Sequence, residues 1–330
     1  VEVLSQNPEA DAEKLIRSFL NTAYRSTVTE DDVRLFVGLV KDRMHTGLSF
    51  TEAMVTGYTA ILVSPKFLFI DENPGRLDDT ALATRLSLFL WNTIPDSELL
   101  TLAKANRLHD PVTLRAQTER LLNDPKSERF RDAFLDYWLD LRKIEDSTPS
   151  ATLYNDYYLD DSLEEAAVAE TRLFFRDMVE YNLPAKYSVD SSYTYLNERL
   201  AEHYNIAGVK GIAMRKTELP PTSERGGFIT QASILKITAN GTTTSPVIRG
   251  KWVMERILGY DVPPPPPVVP SVEPDIRGAV TIRQQLDKHR VDKTCASCHV
   301  KIDPAGLALE NFDVMGAWRG RYRAVAESKE

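Results

Sequence analysis

Two cysteines and a histidine near the C-terminus carry the strongest chemistry in this sequence: Cys295-Ala296-Ser297-Cys298-His299 reads C-x-x-C-H. Thiols three positions apart fall on one helical turn, where each can join one of haem's two vinyl groups as a thioether. The histidine that follows then reaches the iron as proximal ligand. These are the only 2 cysteines in 330 residues, so a disulfide framework is excluded by count. Other chemistries use the same residue types. A structural zinc site needs four ligands, and adjacent Cys298 and His299 sit awkwardly on one tetrahedral ion. A redox dithiol wants its C-x-x-C after a strand of a βαβ unit, and no such unit is visible. A buried, inert pair seldom takes this form. Covalent haem c, one per chain, is the expectation the spacing favours.

The sixth iron position then decides between functions. Met315, downstream of the proximal histidine, offers a thioether; His203 and His289 are rivals, and an open position is the fourth possibility. Two protein ligands suit electron transfer, because little changes around the iron on reduction. An open face suits peroxide or small-ligand chemistry and calls for a nearby acid–base group, for which His289 is a candidate. Cations that could pair the haem propionates are Arg225, in the Arg225-Gly226-Gly227 turn, and Arg249, with Lys251 close by. Glu164, Glu165 and Glu170 lie on one long helix and read as a solvated acidic surface. No G-x-S-x-G elbow, phosphate loop or H-E-x-x-H appears, so a hydrolase centre is not indicated.

These residues need a scaffold, and the scaffold reads as mainly α, a multi-helical body. Apolar residues recur at helical spacing over Ala12–Tyr24, Asp31–Met44, Phe50–Leu62, Asp79–Trp91 and Asp161–Tyr181. Thr29-Glu30-Asp31-Asp32 is a capping pattern, and Asp110-Pro111 and Asp124-Pro125 place proline in a first turn. Ser97 restarts a helix, Thr244-Ser245-Pro246 starts another, and Tyr193–His203 and Thr281–His289 are expected helices. Pro263 to Pro267 is an unbroken proline run, with Pro270 and Pro274 behind it, and reads as a stiff extended strap over 261–274. The strap ties on a C-terminal haem c-binding segment. In Ile302-Asp303-Pro304-Ala305-Gly306, an Asp-Pro turn is expected, followed by apolar residues that line the haem edge. The stretch after His299 is too short for an ordinary cytochrome c domain, so upstream chain must help to enclose the haem. Three domains follow: 1–75 and 76–222, both helical, and 223–330, cytochrome c-like.

Charge and composition narrow the partners. With 40 Lys+Arg against 48 Asp+Glu the chain has a net charge of −8, which disfavours a general nucleic-acid binder. No apolar run is long enough to span a membrane, and 42% hydrophobic residues suffice for packed cores.

The stretch from about Arg225 to Arg319 resembles the cytochrome-motif domains of unknown function in large planctomycete-type, and some other bacterial, secreted proteins. The matching residues are Ser223-Glu224-Arg225-Gly226-Gly227-Phe228, Thr244-Ser245-Pro246-Val247 and Arg249-Gly250-Lys251-Trp252. The proline run, Cys295 to His299, Ile302-Asp303-Pro304, Gly306, Leu309-Glu310-Asn311-Phe312-Asp313, Gly316 and Trp318-Arg319 follow in order. Upstream, Ala83-Thr84-Arg85-Leu86-Ser87, Tyr195-Leu196-Asn197 and His203-Tyr204 are similar to the companion domains of the same proteins. The resemblance implies an exported protein, periplasmic or extracellular, with haem c at Cys295 and Cys298 and no firmly assigned reaction. By analogy it implies a role beside extracellular polymer breakdown, on polysaccharide-linked substrates, while an electron-transfer function calls for a redox partner protein. Three functions stay open: electron transfer as a module of a larger oxidoreductase system, a haem-dependent oxidoreductase or peroxidase, and a partner- or glycan-binding scaffold with accessory haem.

Overall fold

The structure is a computed structural model that describes residues 2–24, 28–70, 74–263, 282–290 and 293–323; within the last two stretches, the side chains of 285, 289, 293–295 and 297 are not described. It is mainly helical and divides into two compact units, Val1–Phe130 and Arg131–Glu330.

The first unit holds α1 (Pro8–Ala23), α2 (Glu30–His45), α3 (Phe50–Leu62), α4 (Pro65–Leu68), α5 (Asp79–Trp91), α6 (Ser97–Lys104) and α7 (Pro111–Asn123). Five of these helices, α2, α3, α5, α6 and α7, start where a short oxygen-bearing side chain satisfies one of the first free N–H groups. Thr29 and Asp32 form a reciprocal capping box, as do Ser49 and Glu52. Asp78, Asp96 and Asp110 each accept from the amide three residues on. Two cores result: Ile16, Leu20, Phe36, Val40 and Ile61 fill one, and Trp91, Leu99, Leu108 and Leu121 fill the other. Buried Trp91 keeps its indole N–H bonded to the Leu121 carbonyl at 2.8 Å.

The second unit carries the expected site. Its elements are most of α8 (Glu128–Trp138), α9 (Asp161–Glu180), β1 (Tyr193–Leu196), α10 (Glu198–His203), β2 (Arg215–Glu218), α11 (Ala232–Ile237), α12 (Pro246–Trp252), α13 (Ile282–His289) and α14 (Lys293–Ala308). The central α9 buries residues all along one side, and two of the unit's three hydrophobic cores lie against it. Leu163, Ala167, Leu196, Leu200, Tyr204 and Met315 share one; Phe174, Phe175, Tyr193, Tyr195, Phe228 and Trp252 share the other.

The expected helix over Tyr193–His203 is corrected at its start. Tyr193–Leu196 is a strand, antiparallel to β2, with Tyr193 opposite Glu218 and Leu196 opposite Arg215; only Glu198–His203 is helical. Aromatic and β-branched residues suit a strand, and here both of its faces are buried. Tyr193 and Tyr195 enter one core, while Leu196 enters the other and Thr194 turns to α9. No helix among the described residues is long and apolar enough to cross a membrane. Of the strap expected over 261–274, all but 261–263 lies outside the described residues.

Candidate functional site

The C-x-x-C-H motif occupies the first turns of α14. His299, Ile302, Asp303 and Gly306 recur at i, i+3, i+4 and i+7, the spacing of one helix face. That face is turned inward: Ile302 and Asp303 are buried, and His299 is mostly covered. Cys295 stands one turn before His299; its side chain, like that of His289, lies outside the described residues.

The packing of α14 on α12 is unusually close and rests on two glycines. A Cβ at Gly306 would overlap the carbonyl oxygen of Pro246, and one at Gly250 would overlap that of Ile302. Each helix therefore presents a bare position to the other's main chain. The Asp-Pro turn expected at Ile302-Asp303-Pro304 is corrected accordingly, because Pro304 and Gly306 lie inside α14. Proline here removes one N–H bond, to the carbonyl of the exposed Val300, which solvent can satisfy.

With Pro304 kept helical, Asp303 is carried one turn beyond His299 instead of into a loop. Its Oδ1 lies 2.9 Å from His299 Nδ1, and the carboxyl is fully buried. Arg290 approaches the other oxygen, Nε to Oδ2, at 3.7 Å. Sequence reasoning missed this pair. The four-residue spacing from His299 to Asp303 was the available signal, and the following proline diverted it to a turn.

Of the two arginines expected at haem propionates, Arg249 is deep in the fold and Arg225 is half-buried. Arg249 is buried in α12, and its guanidinium donates to the carbonyls of Leu309 (2.8 Å), Phe312 (2.6 Å) and Asp313 (2.8 Å), just past the end of α14. Burial pushes its pKa down to about 10, so it stays charged at neutral pH, as a cation at the unsatisfied carbonyls of a helix terminus should. Arg225 sits over the Tyr204 ring, its guanidinium carbon 3.4 Å from the centroid, and donates to the carbonyls of Thr230 (2.7 Å) and Gly316 (2.5 Å). In the same turn the Gly226 N–H is bonded to Thr230 Oγ1 at 2.8 Å. Gly227, at φ +63, lies where any Cβ would strike the backbone of Ser188. Both arginines thus hold main chain around residues 309–316.

Met315 is fixed from three sides. Its N–H donates to Asp313 Oδ1 at 2.9 Å, its carbonyl is 2.8 Å from His203 Nε2, and its side chain is buried with Tyr154, Tyr157 and Leu163. His203, also buried, packs edge-on against Tyr157, and burial lowers its pKa to about 4, so the ring is neutral and donates to that carbonyl. Beside this core opens a cavity of ≈ 740 Å³ bordered by Tyr157, Glu164, Arg172, Lys236 and Met315. Neither Cys298 nor His299 borders it.

The acidic triplet of α9 needs one correction. Glu165 is exposed and Glu164 pairs with buried Lys236 at 2.9 Å, but Glu170 is buried. Its carboxyl accepts from Thr194 Oγ1 and Tyr204 Oη, both at 2.6 Å, and burial raises its pKa to about 7 against those bonds. Helical spacing alone could not announce this, because both hydroxyls arrive from β1 and the end of α10.

Three family models match the chain: PSD5, a protein of unknown function (DUF1595), over residues 11–72; PSD4, likewise of unknown function (DUF1592), over 77–206; and PSCyt3, also of unknown function (DUF1588), over 225–322. These are planctomycete-type domains, and the name of the last carries a cytochrome label. No curated protein and no solved structure matches the chain.

Proposed function

We propose that this chain is an exported c-type haem protein of the periplasm or extracellular space, serving electron transfer as a module of a larger oxidoreductase system. Cys295 and Cys298 would hold the haem through thioethers and His299 would be its proximal ligand. The observation that carries this reading is the His299–Asp303 pair. A buried carboxylate at Nδ1 holds the ring proton there and leaves the lone pair on Nε2, which is how metal-binding histidines are prepared.

When bound, haem supplies a one-electron iron couple. The chain's own residues orient and enclose: α12 clamps α14 through Gly250 and Gly306, and Arg249 secures the main chain beyond it. Arg225 and Arg249 are better read as such fasteners than as propionate partners, since their guanidinium groups already serve carbonyls.

A second reading, a haem-dependent oxidoreductase or peroxidase with an open sixth position, is favoured by the packing of Met315 and His203. The thioether is buried in an aromatic core, and His203 Nε2 serves a carbonyl. The test is to express the chain with an export signal in a bacterium equipped for cytochrome c maturation and record its spectra. Sharp α and β bands on reduction support electron transfer, and a high-spin ferric spectrum that reacts rapidly with peroxide supports the second reading. A colourless protein refutes both.

A further inference from the structure

We propose that Asp303 is a positioning residue for His299. Its carboxylate fixes the ligating atom as Nε2 and strengthens the ring as an electron donor, so that the haem has a low reduction potential. This inference rests on the haem reading above.

Burying a carboxylate is costly unless its oxygens are bonded, and an apolar residue at 303 would be spared that cost. The carboxylate is nevertheless fully buried, with its Oδ2 lacking any hydrogen-bond partner among the described residues and its Oδ1 on the imidazole. Arg290, 3.7 Å from Oδ2, also pairs with Asp287, so it tempers the charge without capturing it. The glycine contacts between α12 and α14 fix the helix register on both sides of residue 303, at Ile302 and Gly306. The carboxylate therefore cannot swing out to water without moving the helix. A ring whose Nδ1–H is accepted by a carboxylate gains anionic character and is a stronger ligand. A stronger axial donor stabilises the oxidised iron more than the reduced iron and lowers the potential. An axial histidine bonded to a neutral acceptor lacks this charge.

The experiment compares wild type with Asp303→Asn, which keeps an acceptor but removes the charge, and Asp303→Leu, which removes both. All three are exported and matured with haem, and their midpoint potentials are measured by spectroelectrochemistry. Wild type is expected lowest, Asp303→Asn higher and Asp303→Leu highest. The iron–histidine stretching band should weaken in the same order. In the full-length chain made without haem, nitrogen NMR at mildly alkaline pH should show His299 protonated on Nδ1 in wild type, a preference lost in Asp303→Leu. Equal potentials in three haem-bearing proteins overturn this inference alone, since a merely structural Asp303 would leave the couple unmoved. A wild type that retains no haem overturns the function proposed above and this inference with it. If Asp303→Leu fails to fold, the Asp303→Asn shift decides.

Discussion

Gly306 of α14 lies against the main-chain carbonyl of Pro246 in α12, so close that no side chain fits between them. The neighbouring Gly250 does the same toward Ile302. The helix that carries the C-x-x-C-H motif is therefore held by backbone contact, and its orientation is set by the absence of two methyl groups.

Substituting Gly306→Ala or Gly250→Ala must push the two helices apart. Overpacking of this kind costs about 1–3 kcal/mol, and a displacement of main chain belongs at the upper end. Urea unfolding should show a lower midpoint for each variant with an unchanged slope.

Glu170 makes stability depend on pH in the neutral range. Its folded pKa of about 7 lies above the ordinary 4.5, chiefly through burial. Between those values the folded chain keeps a proton that the unfolded chain releases, so the contribution, full below 4.5, is lost as pH rises through about 7. The loss amounts to at most about 3 kcal/mol. Glu170→Gln should lack this decline, as read from unfolding midpoints between mildly acid and mildly alkaline pH.

His203 acts with the opposite sign. Its folded pKa of about 4 lies below the ordinary 6.5, so stability is lost as pH falls through that interval and the unfolded chain protonates first. His203→Phe should abolish this acid-side loss. It should also cost about 1–3 kcal/mol at neutral pH, because the Met315 carbonyl loses its donor in a buried place. Because the two windows overlap, the His203 effect is best measured in the Glu170→Gln background.

Arg249→Lys separates a structural from a cofactor role. Lysine cannot fork across the carbonyls of Leu309, Phe312 and Asp313, so a loss of at least about 2 kcal/mol is expected. The loss should be the same with and without haem. A variant impaired only when loaded would instead return Arg249 to a propionate.

How far the sequence could be read depended on whether the signal was local. Phe50–Leu62 and Asp79–Trp91 were legible to the residue, because caps and Pro/Gly breaks mark helix ends in the sequence itself. Tyr193–Leu196 was not. Both faces of that strand are buried, so the alternation that would have marked it is missing. Glu170 and Asp303 failed for different reasons. The partners of Glu170 come from distant elements, while Asp303 sits before a proline that ordinarily marks a turn but here continues a helix. The motif itself was plain; its buried carboxylate needed the fold.

The most direct test of the central claim is the intact mass of the exported, matured chain after denaturation. A mass increased by one haem, abolished in a Cys295→Ser, Cys298→Ser double variant, is the predicted result. A mature wild-type chain with the mass of polypeptide alone would contradict the account.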